Sequence, residues 1–67
     1  MELIINGSKR ELQLESRTLA EVIDKLGLSG KPVVAEVDGE VLVAEQWPAF
    51  AVMPGMKIEL VHFVGGG

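Results

Sequence analysis

Apolar residues recur along this chain with two different periods, and the change of period separates its elements. At the start, "LIIN", "GSKR" and "ELQLE" read as a hairpin. Leu3 and Ile5 share one face of the first strand, and Leu12 and Leu14 alternate in the second. Asn6-Gly7 between them supplies residues that accept positive φ, as a reversal of the chain requires. The apolar alternation resumes only at Leu12, so the expected loop is longer than two residues and its turn type stays open. In "TLAEVIDKLGL" the period becomes helical, with Leu19, Val22, Ile23 and Leu26 at i, i+3, i+4 and i+7. Thr18 and Glu21 have capping-box spacing at its start. Gly27 suits a left-handed cap at its end, with Leu28 placed to fold back on the last turn.

After a loop at "SGKP", "VVAEV" and "EVLV" form a second strand pair around Asp38-Gly39. "AEQWPAFAVMPG" has no clean period and two prolines, and reads as an irregular connection. Pro54-Gly55 marks a turn, after which "MKIELVHFV" is the last strand. The order is ββαββ…β. One crossover helix covers one face of a mixed sheet and not both, which matches the α+β architecture of the β-grasp, or ubiquitin-like, fold. The first and last strands are expected side by side in the middle of the sheet. Residues 1–64 form the expected domain, and 65–67 a flexible glycine tail.

In the last strand Ile58 and Leu60 share one parity, and Glu59, Val61 and Phe63 the other. If the first set faces the helix, Val61 and Phe63 stand on the open face, and Ile4 and Val34 point the same way. A sheet face without a helix is ordinarily polar, so apolar residues gathered there suggest a partner surface. The competing expectation is that Trp47 or Phe50 folds over them.

Composition narrows the chemistry. Cysteine is absent, which removes disulfides, thiol nucleophiles and cysteine-ligated zinc. One histidine and ten scattered carboxylates form no metal-ligand cluster in sequence. His62 has no evident partner for proton transfer and reads as an ordinary strand residue. Met53, Met56 and Phe50 read as loop residues plugging the end of the sheet. A net charge of −4 and six dispersed basic residues argue against nucleic acid as a partner. No apolar run approaches the ~20 residues needed to span a bilayer, so no membrane association is expected. "MELIING" lacks the positive flank of a signal peptide, which makes the cytoplasm the expected location. So few reactive groups in so short a chain point to action through partners rather than catalysis.

That leaves "HFVGGG". Glycines without Cβ atoms can lie extended in a narrow channel, and a terminal glycine carboxylate is open to attack. A frayed end or a binding module with idle glycines is the plainer alternative. With "DGEVLV" in the middle hairpin, Trp47 beyond it and "PGMKIELVHFVGGG" at the end, the chain resembles the ThiS family, the sulfur carriers of thiamine thiazole biosynthesis. The resemblance runs over essentially the whole chain, and its specific element is the terminal Gly66-Gly67 pair.

The resemblance implies a cycle run on the Gly67 carboxylate. An ATP-dependent, ThiF-like adenylyltransferase, using ATP and magnesium, would join it to AMP. A persulfide derived from a cysteine desulfurase would replace AMP with sulfur. A ThiG-like thiazole synthase would consume the thiocarboxylate. Gly66 would keep the approach unhindered and Gly65 lengthen the tail. No cofactor would be bound, and the chain would be a co-substrate, not an enzyme. Gly55-Met56 and Ala44-Glu45 depart from residues common in the family, which bears on docking near those turns. The small subunit of molybdopterin synthase, other sulfur pathways and a lysine-attached modifier share the same chemical logic.

Overall fold

The computed structural model describes residues 1–62. Strands β1 (Glu2–Ile5) and β2 (Ser8–Glu11) are followed by helix α1 (Leu19–Lys25), β3 (Val33–Val37), β4 (Glu40–Leu42), a 3₁₀ helix at Ala44–Ala49 and β5 (Lys57–His62). The strands form one sheet in the order β2-β1-β5-β3-β4. β5 runs parallel to β1 and antiparallel to β3, so the first and last strands are central neighbours, as the sequence predicts.

Both hairpins turn in two residues. Ile5 pairs with Ser8 across Asn6-Gly7, whose φ values are 49° and 82°. Val37 pairs with Glu40 across Asp38-Gly39, at 49° and 87°. Two successive positive φ values are the signature of a type I′ turn, whose twist matches that of the flanking strands. The first turn is therefore shorter than the apolar pattern suggests. Its second strand is Ser8–Glu11, wholly exposed at the sheet edge, and Leu12 and Leu14 lie beyond it. Leu12 still exchanges two backbone bonds with Met1, its amide donating to the Met1 carbonyl at 3.0 Å and its carbonyl accepting from the N-terminal ammonium at 2.9 Å, and both leucines pack against the core. The apolar pattern reports burial, and the exposed paired residues Ser8–Glu11 carry none of it.

The helix forms as its sequence specifies. Thr18 is its N-cap, and its Oγ1 accepts from the Glu21 amide at 3.2 Å. At the other end Gly27, at φ 76°, donates to the Asp24 carbonyl at 2.9 Å, and Leu28 donates to that of Ile23 at 3.0 Å. These are the paired bonds of a Schellman cap. The reciprocal half of the capping box is replaced. The Glu21 carboxylate accepts from the backbone amides of Glu15, Ser16 and Arg17 at 2.8–2.9 Å, and from the Ser16 hydroxyl at 3.0 Å. Arg17, at φ 56°, turns the backbone so that these donors converge. Those bonds hold the Glu21 carboxyl below its ordinary range, the Glu15 amide contributing most, against an opposing desolvation effect.

The connection after β4 is more ordered than its sequence suggests. Trp47 Nε1 donates to the Leu42 carbonyl at 3.0 Å, and Gln46 Oε1 accepts from the Val43 amide at 2.9 Å, together fixing the 3₁₀ turn. Phe50 and Val52 are then tied to the start of the helix through Leu19 N to Phe50 O and Val52 N to Arg17 O, both 2.9 Å. Side-chain bonds and this bridge do the work that apolar periodicity does elsewhere. Leu3, Ile5, Leu19, Val22, Ile23, Ala35, Val37, Leu42, Val52, Ile58 and Leu60 form one buried core, and no polar side chain is buried among the described residues.

Val22 is fully enclosed in that core. Val22→Asp would bury a carboxylate without a partner at a cost of several kcal/mol. That is comparable to the total stability of a small domain, about 5 kcal/mol at the lower end of the range. Loss of a cooperative urea transition is expected; a midpoint near wild type would show that the helix buries another face. Glu21 predicts a pH dependence. Its folded pKa lies below its unfolded one, so its stabilisation is full above the unfolded value, near pH 4.5. It is lost as pH falls through the lowered folded value. Glu21→Gln should therefore have a lower urea midpoint than wild type at pH 7, the two converging on acidification. A constant difference from pH 7 to pH 2 would contradict this.

Candidate functional site

The helix covers one face of the sheet, and the residues of opposite parity make up the other. Directly opposed residues share a face, so the ladder can be read rung by rung. Val34 stands opposite Val61, and Glu36 opposite both Glu59 on β5 and Val41 on β4. Continuing the register by one residue places Val43 beside Val34. Val34, Val41, Val43 and Val61 are 38%, 58%, 55% and 53% exposed. Four β-branched side chains thus form an apolar patch across three adjacent strands, at the end where β5 finishes. Glu36 and Glu59 border it.

Of the residues expected on this face, Val34 and Val61 are brought together as a cross-strand pair. Ile4 is on the same face but not in the patch. It lies beside Lys57 and Lys9, four residues back along β5 from Val61, or about 13 Å at the usual strand rise. It is half-buried. Phe63 and the tail residues Gly65, Gly66 and Gly67 lie outside the described residues, as does the boundary drawn at residue 64. Val41 and Val43 are additions to the site. The alternation in "EVLV" carried the signal, because an inward Leu42 places its two neighbours outward.

Nothing aromatic covers the patch among the described residues. Trp47 and Phe50 pack against the core, as do Met56 and the two leucines after β2. Met53 is exposed rather than plugging the sheet end. His62 is exposed at the end of β5, opposite Val33. No grouping of His, Asp and Glu that would hold a metal ion is found among the described residues, and no cavity is found among them. No helix is long and apolar enough to cross a membrane. The described chemistry is therefore that of a surface. An open apolar face can hold a partner, and the described part of β5 ends beside it.

The family model for the ThiS family matches residues 3–67. A sulfur carrier protein ThiS of Bacillus subtilis is 29% identical over 65 residues, covering 97% of this chain and 98% of that protein. A thiazole synthase of Paramagnetospirillum magneticum is 34% identical over all 67 residues, and the chain spans 20% of that protein's length. Among solved structures, the crystal structure of a thiamine biosynthesis protein (ThiS) from Geobacter metallireducens superposes with a TM-score of 0.80 at 30% identity, each chain covered in full. A solution structure of a thiamine biosynthesis protein from the same organism gives 0.81 at 33%, covering all of this chain and 88% of the other. The shared β-grasp and a family match running through the glycine tail lead to one conclusion: the chain belongs to the ThiS family, the sulfur carrier proteins of thiamine biosynthesis.

Proposed function

We propose that the chain carries sulfur on the carboxyl carbon of Gly67 and delivers it for thiazole formation. The observation that carries this reading is the family match over residues 3–67, which takes in all three terminal glycines. As a ThiS sulfur carrier the chain is not itself an enzyme. A free carboxylate is a poor electrophile. An activating enzyme, holding ATP and magnesium, would let it attack the α-phosphate, releasing pyrophosphate and leaving an acyl-adenylate. A persulfide sulfur would then attack the carbonyl carbon and expel AMP. A second thiol would cleave the S–S bond and free the thiocarboxylate. Gly66 and Gly65 leave the carbonyl approachable, and no cofactor stays on the carrier. The cytoplasm, where ATP and reduced thiols are abundant, is the proposed site of the cycle.

Two partners are then required, an ATP-dependent adenylyltransferase and a thiazole synthase, with a cysteine desulfurase as the ultimate sulfur source. The Paramagnetospirillum magneticum thiazole synthase, with a stretch resembling this whole chain, supports the second of these. We assign docking to Val34 and Val61 with Val41 and Val43, continued toward Phe63. Ile4 would belong to the rim of the same face, and Glu36 and Glu59 would favour a partner surface with basic residues beside an apolar centre.

The carboxylate is tested directly. With ATP, magnesium and the activating enzyme, the wild type should gain an AMP on its last peptide, and a sulfur donor should then exchange one terminal oxygen for sulfur. Protein amidated at Gly67 should do neither, with an unchanged fold. Adenylation or sulfur transfer to the amidated protein would sink the proposal. The face is tested by replacing Val34 and Val61 together with threonine, which keeps shape and β-propensity. Burying each added hydroxyl without a partner costs about 1–3 kcal/mol, so affinity for the activating enzyme should fall at least tenfold. The unfolding midpoint should move little, since both positions face water. Unchanged affinity would place docking elsewhere.

A further inference from the structure

Where β1 ends, a side chain takes over its pairing. On the β1 side of β5, backbone bonds run from Ile4 N to Met56 O at 3.0 Å and from Asn6 N to Ile58 O at 2.9 Å. The next rung belongs to Leu60. By then the chain has turned away through Asn6-Gly7 toward β2. The Asn6 side chain supplies the missing rung. Its Oδ1 accepts from the Leu60 amide at 2.7 Å, and its Nδ2 donates to the Leu60 carbonyl at 3.1 Å. One carboxamide thus stands in for a peptide unit of a strand that is no longer there. The contact joins residues 54 apart in sequence.

We infer that Asn6 is a positioning residue that holds β5 in place at Leu60, ahead of the residues that lead to Gly67. Leu60 is buried, and its peptide groups would lack partners on this side without the carboxamide. The following rung, at His62, lies about 7 Å further along β5, beyond a side chain already engaged through both polar atoms. β5 is therefore clamped from both neighbours as far as Leu60. Past it, among the described residues, β3 alone flanks the strand, with Val34 opposite Val61 and Val33 opposite His62. This clamp fixes the strand from which the chain continues to Gly67, and placement of that carboxylate on a partner depends on it.

Two demands meet at this position. The turn needs a residue at home at φ 49°, and the rung needs a donor and an acceptor on a short stem. Aspartate satisfies the first demand and half of the second. It keeps an acceptor for the Leu60 amide but sets an oxygen against the Leu60 carbonyl. Glycine satisfies only the first. Among residues that tolerate this backbone, asparagine alone satisfies both.

The inference rests on the carrier reading for its consequence, and the test keeps the two apart. Asn6→Gly retains the turn and deletes the rung. In the free full-length protein, amide exchange at Leu60 should accelerate about tenfold or more relative to Ile58, as expected for a lost hydrogen bond. Asn6→Asp, the conservative shape, should fall between. With the activating enzyme, adenylation of Asn6→Gly should show kcat lowered about tenfold, because the carboxylate is misaligned. KM for the carrier should stay within about twofold, because the valine face is untouched. Asp38→Gly, the same change in the matching turn of the other hairpin, should alter neither. Unchanged Leu60 exchange in Asn6→Gly overturns the clamp. Faster exchange with unchanged kcat, or an equal kcat loss in Asp38→Gly, overturns the positioning role. Absence of adenylation in wild type overturns the carrier reading, and the exchange measurements alone then decide the clamp.

Discussion

The parallel pairing of β1 with β5 is the constraint from which the rest of this structure follows. It brings the first strand against the last, so the remaining elements must be arranged around a central pair whose partners are far apart in sequence. A parallel pair cannot be closed by a tight turn, and the chain between them carries, besides a 3₁₀ helix after β4, one α-helix of seven residues. That helix shields one face, with Leu19, Val22 and Ile23 set against Leu3, Ile5, Ile58 and Leu60. The other face is left to water or to another protein. In so small a domain the open face is a consequence of length, and four exposed valines make part of it apolar.

The same pairing determines what happens at the C-terminal end. β5 is bound on both flanks for most of its length and on one flank at its finish, because β1 turns back before β5 stops. The described part of β5 thus passes from two flanking neighbours to one after Leu60. The apolar patch sits at the same end of the sheet.

Several polar side chains hold backbone, two of them where the chain changes direction. Glu21 gathers the three amides before the helix, and Asn6 replaces a rung in the central ladder. Each satisfies groups that irregular backbone would otherwise leave unpaired. With no buried polar side chain in the described core, this is how the domain reconciles a small apolar interior with several abrupt changes of direction.

Periodicity in the sequence determined the elements that are amphipathic by themselves. The helix with both caps, the inward parity of Ile58 and Leu60, the outward parity of Val34 and Val61, and the two glycine turns all follow from local preferences and a period of 3.6 or 2. The glycine tail and its surrounding motifs likewise indicated the family. Local signals ran out where a residue's partner is distant in the chain. The position of β2 was set by pairing with β1, and its exposed residues Ser8–Glu11 gave no apolar signal of it, whereas Leu12 and Leu14 signalled packing on the core. The 3₁₀ turn around Trp47 depended on a carbonyl five residues earlier. Membership of the valine patch depended on register between strands, which admitted Val41 and Val43 and set Ile4 apart beside Lys57. The bond from Asn6 to Leu60 exists because two segments 54 residues apart became neighbours. Chain-local physics fixes which way a side chain points along its own strand or helix. What it meets there is decided only when the sheet closes, because that depends on the register of strands the sequence leaves far apart.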